Sequence, residues 1–459
     1  MEFKLLKNNT PLFNVFSELG QRIYLPDGIF HWSGRAKKEA EIIGTIGTAY
    51  GYEKDFIDGG LDNWAPLYLD SFKNYTNIDI TSVVPYASIG GLQELRNIWK
   101  EWIIYKAGYK NKESRKTEQL ERYITLPTVT QGITNGLFMV GSLFLNEGDF
   151  IISPNKRWGN YDNIFSKNLN AEIKSFDFFR NKQFNLEGFE QAIIEVAEKQ
   201  EKILIILNFP NNPTGYTPLK SERDAIIQKL KETQKSIDKP IIIFVDDAYE
   251  PYVYNDNSID HSIFYELMEL DENIIPIKLD GISKELLAYG GRIGFVTIGL
   301  KPSWIQNEEE LKQLKQEINN KLEGLNRSSI SNTNHFYQAV TLKMFEEIGF
   351  EMIVQKREKN RNLLKNRYEL INKELKKIEN TEFSIDPNSG GFFLFVNLDY
   401  DKIKATEFAD HLLKKYKVGV IPIEKPEINI NGIRIAYCSI DINDISEMVD
   451  RIHKAFNDF

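Results

Sequence analysis

The chain has 459 residues, of which 42% are hydrophobic and 27% are charged, and its formal net charge is -9. This balance is that of an ordinary globular protein, and it excludes disordered, collagen-like and strongly basic nucleic-acid-binding chains. One cysteine, Cys438, and five separated histidines exclude an internal disulfide framework and offer no zinc-ligand spacing, so we expect no metal site.

Two features of the sequence bear on its location. Residues 1–19 mix acidic and basic side chains and contain no signal-peptide apolar run, and the longest strongly apolar stretch, residues 136–145, is too short to cross a bilayer. We therefore expect a cytoplasmic protein without membrane or nucleic-acid partners. The length exceeds what one hydrophobic core usually organises, so we also expect two domains.

Short apolar runs alternate with helix-like segments through most of the chain. The runs are residues 150–152, 203–207, 241–245, 274–278 and 295–297. Continuous apolar runs of this length are typical of strands that are buried on both faces, as in a parallel sheet between two helix layers. They predict a large three-layer α/β/α domain with a mostly parallel sheet over residues 64–330.

The last part of the chain predicts a smaller α+β domain. One apolar stripe at helical spacing is formed by Leu364, Tyr368, Ile371, Leu375 and Ile378. Strands are predicted over residues 392–396, 418–421 and 433–437, with a final helix over residues 442–456. We expect residues 1–63 to form an N-terminal arm and part of the small domain, and residues 331–459 to form an interdomain helix and the rest of that domain.

A lysine follows one of the predicted strands. Ser283-Lys284 comes shortly after the run 274–278, and Arg292 follows in a glycine-flanked turn. The carboxyl ends of the strands are where α/β sheets bind ligands, and burial there can lower a lysine pKa enough for nucleophilic chemistry. A guanidinium in such a turn can hold a phosphate through two hydrogen bonds.

Two further motifs end predicted strands. Asp246-Asp247-Ala248-Tyr249 follows the run 241–245, and Asn211-Asn212-Pro213-Thr214-Gly215 follows the run 203–207. Taken alone, the first could be a helix cap and the second a Pro/Gly turn. The functional alternative is that Asp246 pairs with a cationic ring nitrogen and that Tyr249 donates to a phenolate oxygen. Three strand-end motifs expected on one rim of a sheet favour a binding site.

In chain order, Asn212-Pro-Thr-Gly, Asp246-x-Ala-Tyr249, Ser283-Lys284 and Gly-x-Arg292-x-Gly resemble the motifs of the class I/II aminotransferases, in the aspartate aminotransferase superfamily. The resemblance extends from about residue 46 to residue 434. It implies fold type I and the cofactor pyridoxal 5′-phosphate. The implied reaction moves an amino group from an L-amino acid to a 2-oxo acid, with the cofactor carried by Lys284 as a Schiff base.

The resemblance also implies roles for residues that would hold the cofactor. Asp246 keeps the pyridine nitrogen protonated, Asn212 and Tyr249 hydrogen-bond the phenolic oxygen, and Trp158 lies flat on the ring. Lys284, once freed, moves the substrate proton. The implied phosphate ligands are Ser283, Arg292, the helix N-terminal residues Ile133 and Thr134, and Tyr86 of a neighbouring subunit.

For the substrate, the resemblance implies that Arg434 grips the α-carboxylate, beside Asn212 and Trp158. An arginine amid apolar strand residues is costly to bury without a partner, which independently favours a ligand or an ion pair. Gly47 resembles a segment that closes over the substrate, although a structural turn is an alternative. Arg327 resembles an arginine that binds a side-chain carboxylate across the dimer, which favours dicarboxylic substrates such as aspartate or glutamate.

Some alternatives stay open from the sequence. Many relatives have a phosphate-binding serine where this chain has Gly281, so one phosphate contact is missing or is supplied elsewhere. A fold type I lyase or decarboxylase would share Lys284, Trp158 and Arg434 with a transaminase, and an aromatic or alanine specificity is a further alternative. Residues 28–35 either cover the cleft or form an aromatic docking arm. The resemblance implies a homodimer with shared active sites.

Overall fold

The computed structural model describes residue 13 and residues 15–23, 28–75, 78–109 and 114–459. In chain order, the strands are β1 (Ile42–Ile43), β2 (Tyr50–Tyr52), β3 (Trp64–Pro66), β4 (Thr128–Thr130), β5 (Phe150–Pro154), β6 (Glu172–Phe176), β7 (Phe179–Arg180), β8 (Gln183–Phe184), β9 (Ile203–Asn208), β10 (Ile241–Asp246), β11 (Ile274–Gly281), β12 (Gly294–Ile298), β13 (Phe383–Ile385), β14 (Leu394–Leu398), β15 (Val418–Gly419), β16 (Ile421–Lys425) and β17 (Ile430–Ile435).

The α-helices are α1 (Glu18–Arg22), α2 (Gly28–Glu39), α3 (Glu53–Phe56), α4 (Ile80–Val83), α5 (Gln93–Tyr109), α6 (Ser114–Tyr123), α7 (Gly132–Phe144), α8 (Leu186–Ala197), α9 (Lys220–Ile237), α10 (Phe264–Met268), α11 (Ile282–Glu285), α12 (Glu308–Ser329), α13 (His335–Lys376), α14 (Ala405–Tyr416) and α15 (Ile445–Asn457). A π-helix spans Asp162–Asn168. No helix of the described residues combines the length and the apolar composition that a membrane crossing requires.

A seven-stranded sheet organises the larger part of the fold. Its strand order is β4-β12-β11-β10-β9-β5-β6. Strands β6, β5, β9, β10 and β11 run parallel, whereas β12 pairs antiparallel with both β11 and β4. Every residue of β9 and β10 is buried, because an uninterrupted apolar strand can be covered on both faces. The five predicted strands all lie in this sheet, which confirms the predicted mostly parallel arrangement.

Helices cover both faces of this sheet. Along β9, Ile203, Ile205 and Leu207 belong to one core cluster together with residues of α5, α8 and α9. Leu204 and Ile206 belong to a second cluster together with residues of α7 and α12. Because successive strand residues point to opposite faces, the two clusters are the two sides of a three-layer α/β/α arrangement.

A four-stranded antiparallel sheet, in the order β13-β14-β17-β16, forms the smaller unit. The strands predicted at 392–396 and 433–437 lie at 394–398 and 430–435. The predicted strand 418–421 is divided, because β15 pairs with β1 whereas β16 pairs with β17. The last helix begins at Ile445 instead of residue 442. The predicted domain boundaries at residues 63/64 and 330/331 stay predictions.

The long helix α13 leads from the large sheet to the small one. It is interrupted at Gly349, where φ is 69°, a backbone conformation that glycine adopts readily. In the second half of the helix, Leu364, Ile371 and Leu375 are buried in the core of the small unit, and Tyr368 packs at its edge. The predicted apolar stripe is therefore the face by which α13 contacts the small sheet and its helices.

A cluster of buried charged side chains lies behind the carboxyl ends of β10 and β11, and we call it the charge cluster. Its members are Lys106, Asp247, Glu250, Lys278, Asp280, Glu285 and Arg357. Lys278 contacts Asp247 and lies 2.8 Å from Glu250, with no exposed side-chain surface. Lys106 Nζ lies 2.8 Å from Glu250 and 2.9 Å from Glu285. A lysine ammonium thus already stands among carboxylates that could otherwise attract a metal ion.

The four carboxyl groups of the charge cluster outnumber its three cations by one. Burial raises the pKa of Asp247 to about 7, against the opposing attraction of Lys278. Burial also acts on Glu250, but there the attraction of Lys106 and Lys278 prevails and lowers the pKa. Burial likewise raises the pKa of Asp280, so Asp247 and Asp280 are the members of the charge cluster whose charged forms burial disfavours most.

Replacing Lys278 with methionine is expected to destabilise the protein by about 3 to 5 kcal/mol, because breaking a buried ion pair leaves its partner's charge uncompensated. The measurement is urea-induced unfolding followed by tryptophan fluorescence. Lys359→Met is the matched control, since Lys359 pairs with Asp58 at an exposed position where such pairs contribute little. Equal unfolding midpoints for the two variants would contradict a stabilising role for the charge cluster.

Candidate active site

A cleft of about 320 Å³ opens at the carboxyl ends of β9, β10 and β11, where the two sheets face each other. Its lining residues are Ile29, Ile46, Gly47, Thr48, Ile133, Thr134, Trp158, Asn208, Asn212, Asp246, Ala248, Tyr249, Ser283, Lys284, Arg292, Phe393 and Arg434. All the residues predicted for the site lie here except Tyr86 and Arg327. The strand-end motifs converge because parallel strands end at one edge of their sheet.

Lys284 lies in the short helix α11, directly after β11. Its amine is enclosed by the cleft walls and stands 5.2 Å from the ring centroid of Tyr289. Burial lowers the pKa of Lys284 to about 8, and the positive charge of Arg292 adds to this effect. The hydroxyl of Tyr252 donates to the Lys284 carbonyl oxygen at 3.0 Å. The backbone that carries Lys284 is therefore anchored, and its amine gives up its proton more readily than that of an exposed lysine.

Asp246 is the last residue of β10 and is 3% exposed. One carboxylate oxygen accepts a hydrogen bond from Tyr161 at 2.5 Å, and the other accepts from the Ala248 amide at 3.2 Å. Burial raises the pKa of Asp246 to about 6, although both hydrogen bonds oppose that rise. Asp246 is thus a carboxyl group whose charge is costly in this site unless a cation faces it.

The opposite end of the cleft contains groups suited to an anion. The first turn of α7 supplies Ile133 and Thr134, and helix N-termini present unpaired N–H groups. Arg292 Nη1 donates to Ser283 Oγ at 3.3 Å, so the guanidinium faces the same place. Gly132, with φ of 73°, allows this approach, because a Cβ atom there would overlap the Arg292 guanidinium. These groups form a cradle suited to an anion.

Gly281 has a steric explanation that the sequence did not reveal. It pairs with Gly294 of β12, and a Cβ atom at position 281 would lie 2.6 Å from the Ile293 carbonyl oxygen and 2.8 Å from Gly294 Cα. Real Cβ atoms do not approach backbone atoms so closely. A serine therefore does not fit at this position, and the anion cradle has to form without it.

Gly281→Ser is expected to weaken binding of pyridoxal phosphate, the cofactor that the resemblance implies, about tenfold or more, because overpacking against backbone typically costs about 1 to 3 kcal/mol and here shifts the neighbouring Lys284 turn. A pyridoxal phosphate titration and a melting curve measure this. Gly290→Ser is the control, since no atom lies within 4 Å of a Cβ at Gly290. Tighter binding by Gly281→Ser than by wild type would show that a serine contact can be restored.

Arg434 is the next-to-last residue of β17, opposite Phe395 and Ile421. Its guanidinium donates to Asn212 Oδ1 at 3.2 Å and to the Thr45 carbonyl oxygen at 2.8 Å, and it stacks 4.3 Å from the Phe393 ring centroid. Burial lowers the pKa of Arg434 to about 10. Among the residues that the structure describes, no carboxylate pairs with this arginine, and its Nε has no hydrogen-bond acceptor.

A buried guanidinium without a carboxylate is costly. A ligand anion in the cleft could offset this cost, because Arg434 faces the space between Gly47, Trp158 and Asn212. The arrangement suits a ligand carboxylate, which Arg434 would bind with two parallel hydrogen bonds.

Tyr86 and Arg327 do not line the cleft of this chain. Tyr86 is 90% exposed, and Arg327, near the end of α12, is exposed and donates to Ser331 Oγ at 2.6 Å. Both belong to one surface, because Asn332 hydrogen-bonds the Ala87 carbonyl and His335 the Pro85 carbonyl. Their predicted roles require a second subunit and stay predictions.

Several contacts at the cleft were missed from the sequence. Asn208 ends β9, donates to the Asp246 carbonyl oxygen at 2.8 Å and accepts from the Asn212 amide at 2.9 Å. The Phe393 ring stacks against the guanidinium of Arg434, and the Tyr161 hydroxyl donates a hydrogen bond to Asp246. Asn208 could have been predicted as a site residue, because it is a polar residue at the end of an apolar strand. The other two depend on packing between distant segments.

The segment of residues 28–35, left open from the sequence, forms the start of α2. Ile29 lines the cleft, whereas Trp32 is buried in the core of the small unit. Arg35 forms ion pairs with Glu39 and Asp410. The segment therefore docks on the small unit and also contributes one wall of the cleft.

The model of the family of class I and II aminotransferases matches residues 81–452. The chain belongs to this family. A probable aspartate/prephenate aminotransferase of Aquifex aeolicus is 26% identical over 349 residues, which cover 73% of this chain and 75% of the relative. An aspartate aminotransferase of Pyrococcus horikoshii is 25% identical over 329 residues, which cover 71% of this chain and 74% of the relative.

Solved structures of aminotransferases have the same fold. An aminotransferase from Anaerococcus prevotii superposes with a TM-score of 0.78 at 25% identity, over 96% of this chain and 99% of that structure. A kynurenine aminotransferase from Pyrococcus horikoshii superposes with a TM-score of 0.73 at 19% identity, over 97% of each chain. The fold type I architecture expected from the sequence is confirmed.

The protein is a pyridoxal-phosphate-dependent transaminase, and the residues present fit that cofactor. The helix N-terminus with Arg292 forms an anion cradle at one end of the cleft, and the carboxyl group of Asp246 lies deeply buried. Lys284 has an amine of lowered pKa in the same cleft. The anion cradle suits the phosphate, Asp246 suits the protonatable ring nitrogen, and Lys284 suits the aldehyde.

Proposed function

We propose that this aminotransferase transfers the amino group of an L-amino acid to a 2-oxo acid with Lys284 as the catalytic lysine. When bound, pyridoxal phosphate supplies the carbonyl that accepts the amino group and the ring that accepts electrons from the substrate. The observation that carries the proposal is one cleft that contains a lysine of lowered pKa, a buried carboxyl group and a buried arginine without a carboxylate.

Each residue of the cleft has a proposed role that suits the chemistry of its side chain. Arg434 binds the substrate α-carboxylate and so fixes the direction of the Cα–H bond. Lys284, whose free amine is favoured by its surroundings, removes and returns the Cα proton. Asp246 faces the ring nitrogen and favours its protonated form. Asn212 and Tyr249 hydrogen-bond the phenolic oxygen, and Trp158 and Gly47 form walls against which ring and substrate pack.

The lysine assignment is tested by borohydride reduction of the protein with pyridoxal phosphate, followed by peptide mass spectrometry. Wild type should carry the reduced cofactor on Lys284, and Lys284→Ala should carry none. Lys301 is an internal control, because burial also lowers its pKa to about 8 but its amine is taken up by three backbone carbonyls. Label on Lys301 or elsewhere at equal yield would contradict the assignment.

The reaction is tested by the absorbance spectrum of the cofactor-loaded protein before and after adding an L-amino acid without a 2-oxo acid. Conversion to the aminated cofactor supports transamination. Ammonia or carbon dioxide formed without an amino acceptor would instead indicate a lyase or decarboxylase. L-aspartate and L-glutamate, compared with L-alanine and L-phenylalanine, test the predicted dicarboxylic preference.

We further propose a homodimer in which each subunit completes the active site of the other. Tyr86 is exposed beside other exposed apolar side chains, namely Ile80, Val84 and Phe336, and such a surface favours burial against a partner. Arg327 lies on the same surface, so one contact could bring both residues to the neighbouring cleft. There Tyr86 would bind the phosphate, and Arg327 would bind a side-chain carboxylate.

A cytoplasmic location remains the prediction made from the sequence.

Mixed dimers test this sharing of active sites. Lys284→Ala and Tyr86→Ala should each lose most activity at limiting cofactor, and their equal mixture after subunit exchange should recover about one quarter of the wild-type activity, since half the dimers are mixed and each has one intact site. Lys284→Ala mixed with Asp246→Asn is the control, because both residues serve the cleft of their own chain. Recovery in the control only, or in neither mixture, would contradict shared sites.

A further inference from the structure

Tyr161 makes a contact that the sequence did not predict. Its side chain is 1% exposed, and its hydroxyl donates to Asp246 Oδ2 at 2.5 Å. It immediately precedes the π-helix Asp162–Asn168, and such turns are frequent at functional sites. It follows Trp158 by three residues, and the two rings meet edge to face, with centroids 5.6 Å apart and an interplanar angle of 83°.

Tyr161 therefore contacts two groups of the cleft at once, through different parts of its side chain. The hydroxyl reaches the carboxylate at the end of β10, and the ring supports the indole that forms the wall above it. Phe165, in the next turn, packs on Tyr161 from behind with centroids 6.0 Å apart. The ring of Tyr161 is thus held from two sides, and its hydroxyl has a fixed direction.

The carboxylate of Asp246 has few other partners. Oδ1 accepts from the Ala248 amide at 3.2 Å, and the charged or titratable groups that act on Asp246 are Lys284 in α11 and, from its own loop, Tyr249. Asn208 binds the backbone carbonyl of Asp246 and not its carboxylate. Tyr161 is consequently the side chain that fixes the orientation of the Asp246 carboxylate among the described residues.

We propose that Tyr161 is a positioning residue for cofactor binding, which holds Asp246 ionised and aimed at the ring nitrogen while it braces Trp158 against the ring. The inference rests on the roles proposed above for Asp246 and Trp158. Tyr161 itself does not line the cleft, so it acts through these two residues. It is a donor to Asp246 and not a competing acid, because burial and the neighbouring Asp246 charge raise its own pKa well above the ordinary value.

The expected effect has a definite sign. A hydrogen bond donated to a carboxylate stabilises its charged form, so loss of the Tyr161 hydroxyl should raise the pKa of Asp246 above about 6. As the pH falls, the variant's Asp246 then takes up its proton at a higher pH than in wild type. A protonated Asp246 cannot pair with a protonated ring, so binding should weaken earlier on the acid side.

The experiment titrates pyridoxamine phosphate into cofactor-free protein across a range of pH, with tryptophan fluorescence as the readout. This ligand forms no covalent bond to Lys284, so affinity is measured apart from activity. Tyr161→Phe should weaken binding about tenfold and move the acid-side fall in affinity upward by about one pH unit, because the lost hydrogen bond favours the charged form of Asp246 and one pKa unit corresponds to a tenfold change.

Two further variants separate positioning from a general loss of structure. In an Asp246→Asn background, Tyr161→Phe should leave the pH profile unchanged, because the group through which it acts no longer titrates. Tyr254→Phe removes another buried hydroxyl, which donates to the Gly391 carbonyl oxygen at 3.0 Å, and it should bind as wild type does.

The proposal would be overturned if Tyr161→Phe lost affinity at the same acidic pH as wild type. It would also be overturned if Tyr161→Phe shifted the acid-side fall in affinity equally in the Asp246→Asn background. Failure of wild type itself to bind pyridoxamine phosphate would overturn the cofactor roles proposed for the cleft. The two kinds of failure are therefore distinguishable in one set of titrations.

Discussion

The active cleft depends on the charge cluster behind it. Asp247 of that cluster follows Asp246 in the chain, and Glu285 follows Lys284, so each chemically active residue has a neighbour fixed on the far side of the same strand end. Lys278 binds Asp247 and Lys106 binds Glu285, in a region with little exposed surface. Buried ions keep their energy low only in specific geometries. The cluster therefore limits how far the ends of β10 and β11 can move.

The same burial sets the chemistry of the cleft. It lowers the pKa of Lys284 to about 8 and raises that of Asp246 to about 6, so both groups titrate closer to neutrality than they would in water. A lysine with this pKa can lose and regain a proton at low cost. The carboxyl group becomes fully charged when a cation faces it. A cationic ring that faces Asp246 would offset the electrostatic cost of burying the Asp246 charge.

The sequence predicts those parts of the site that local pattern determines. Lys284, Asp246 and Asn212 each follow an apolar run, and parallel strands end at one edge, so their convergence could be expected. The role of Tyr161 could not, because a tyrosine three residues after Trp158 is an ordinary core residue unless the position of β10 is known. Gly281 shows a different limit: the close approach of β12 excludes a serine there, and no property of the isolated segment reports it.

Arg434 illustrates why the cleft needs both sheets. Arg434 belongs to the small sheet, yet its guanidinium donates to Asn212 beside the large sheet and to the Thr45 carbonyl from the N-terminal part. The carboxylate-binding position that we propose is therefore complete only where three distant chain segments meet. Any displacement of the small unit relative to the large sheet would separate Arg434 from Asn212 and disperse that position. In the proposed roles, a substrate bound by Arg434 and a cofactor bound by residues of the large sheet would favour the arrangement in which both units are docked, because a ligand stabilises the state to which it binds more tightly.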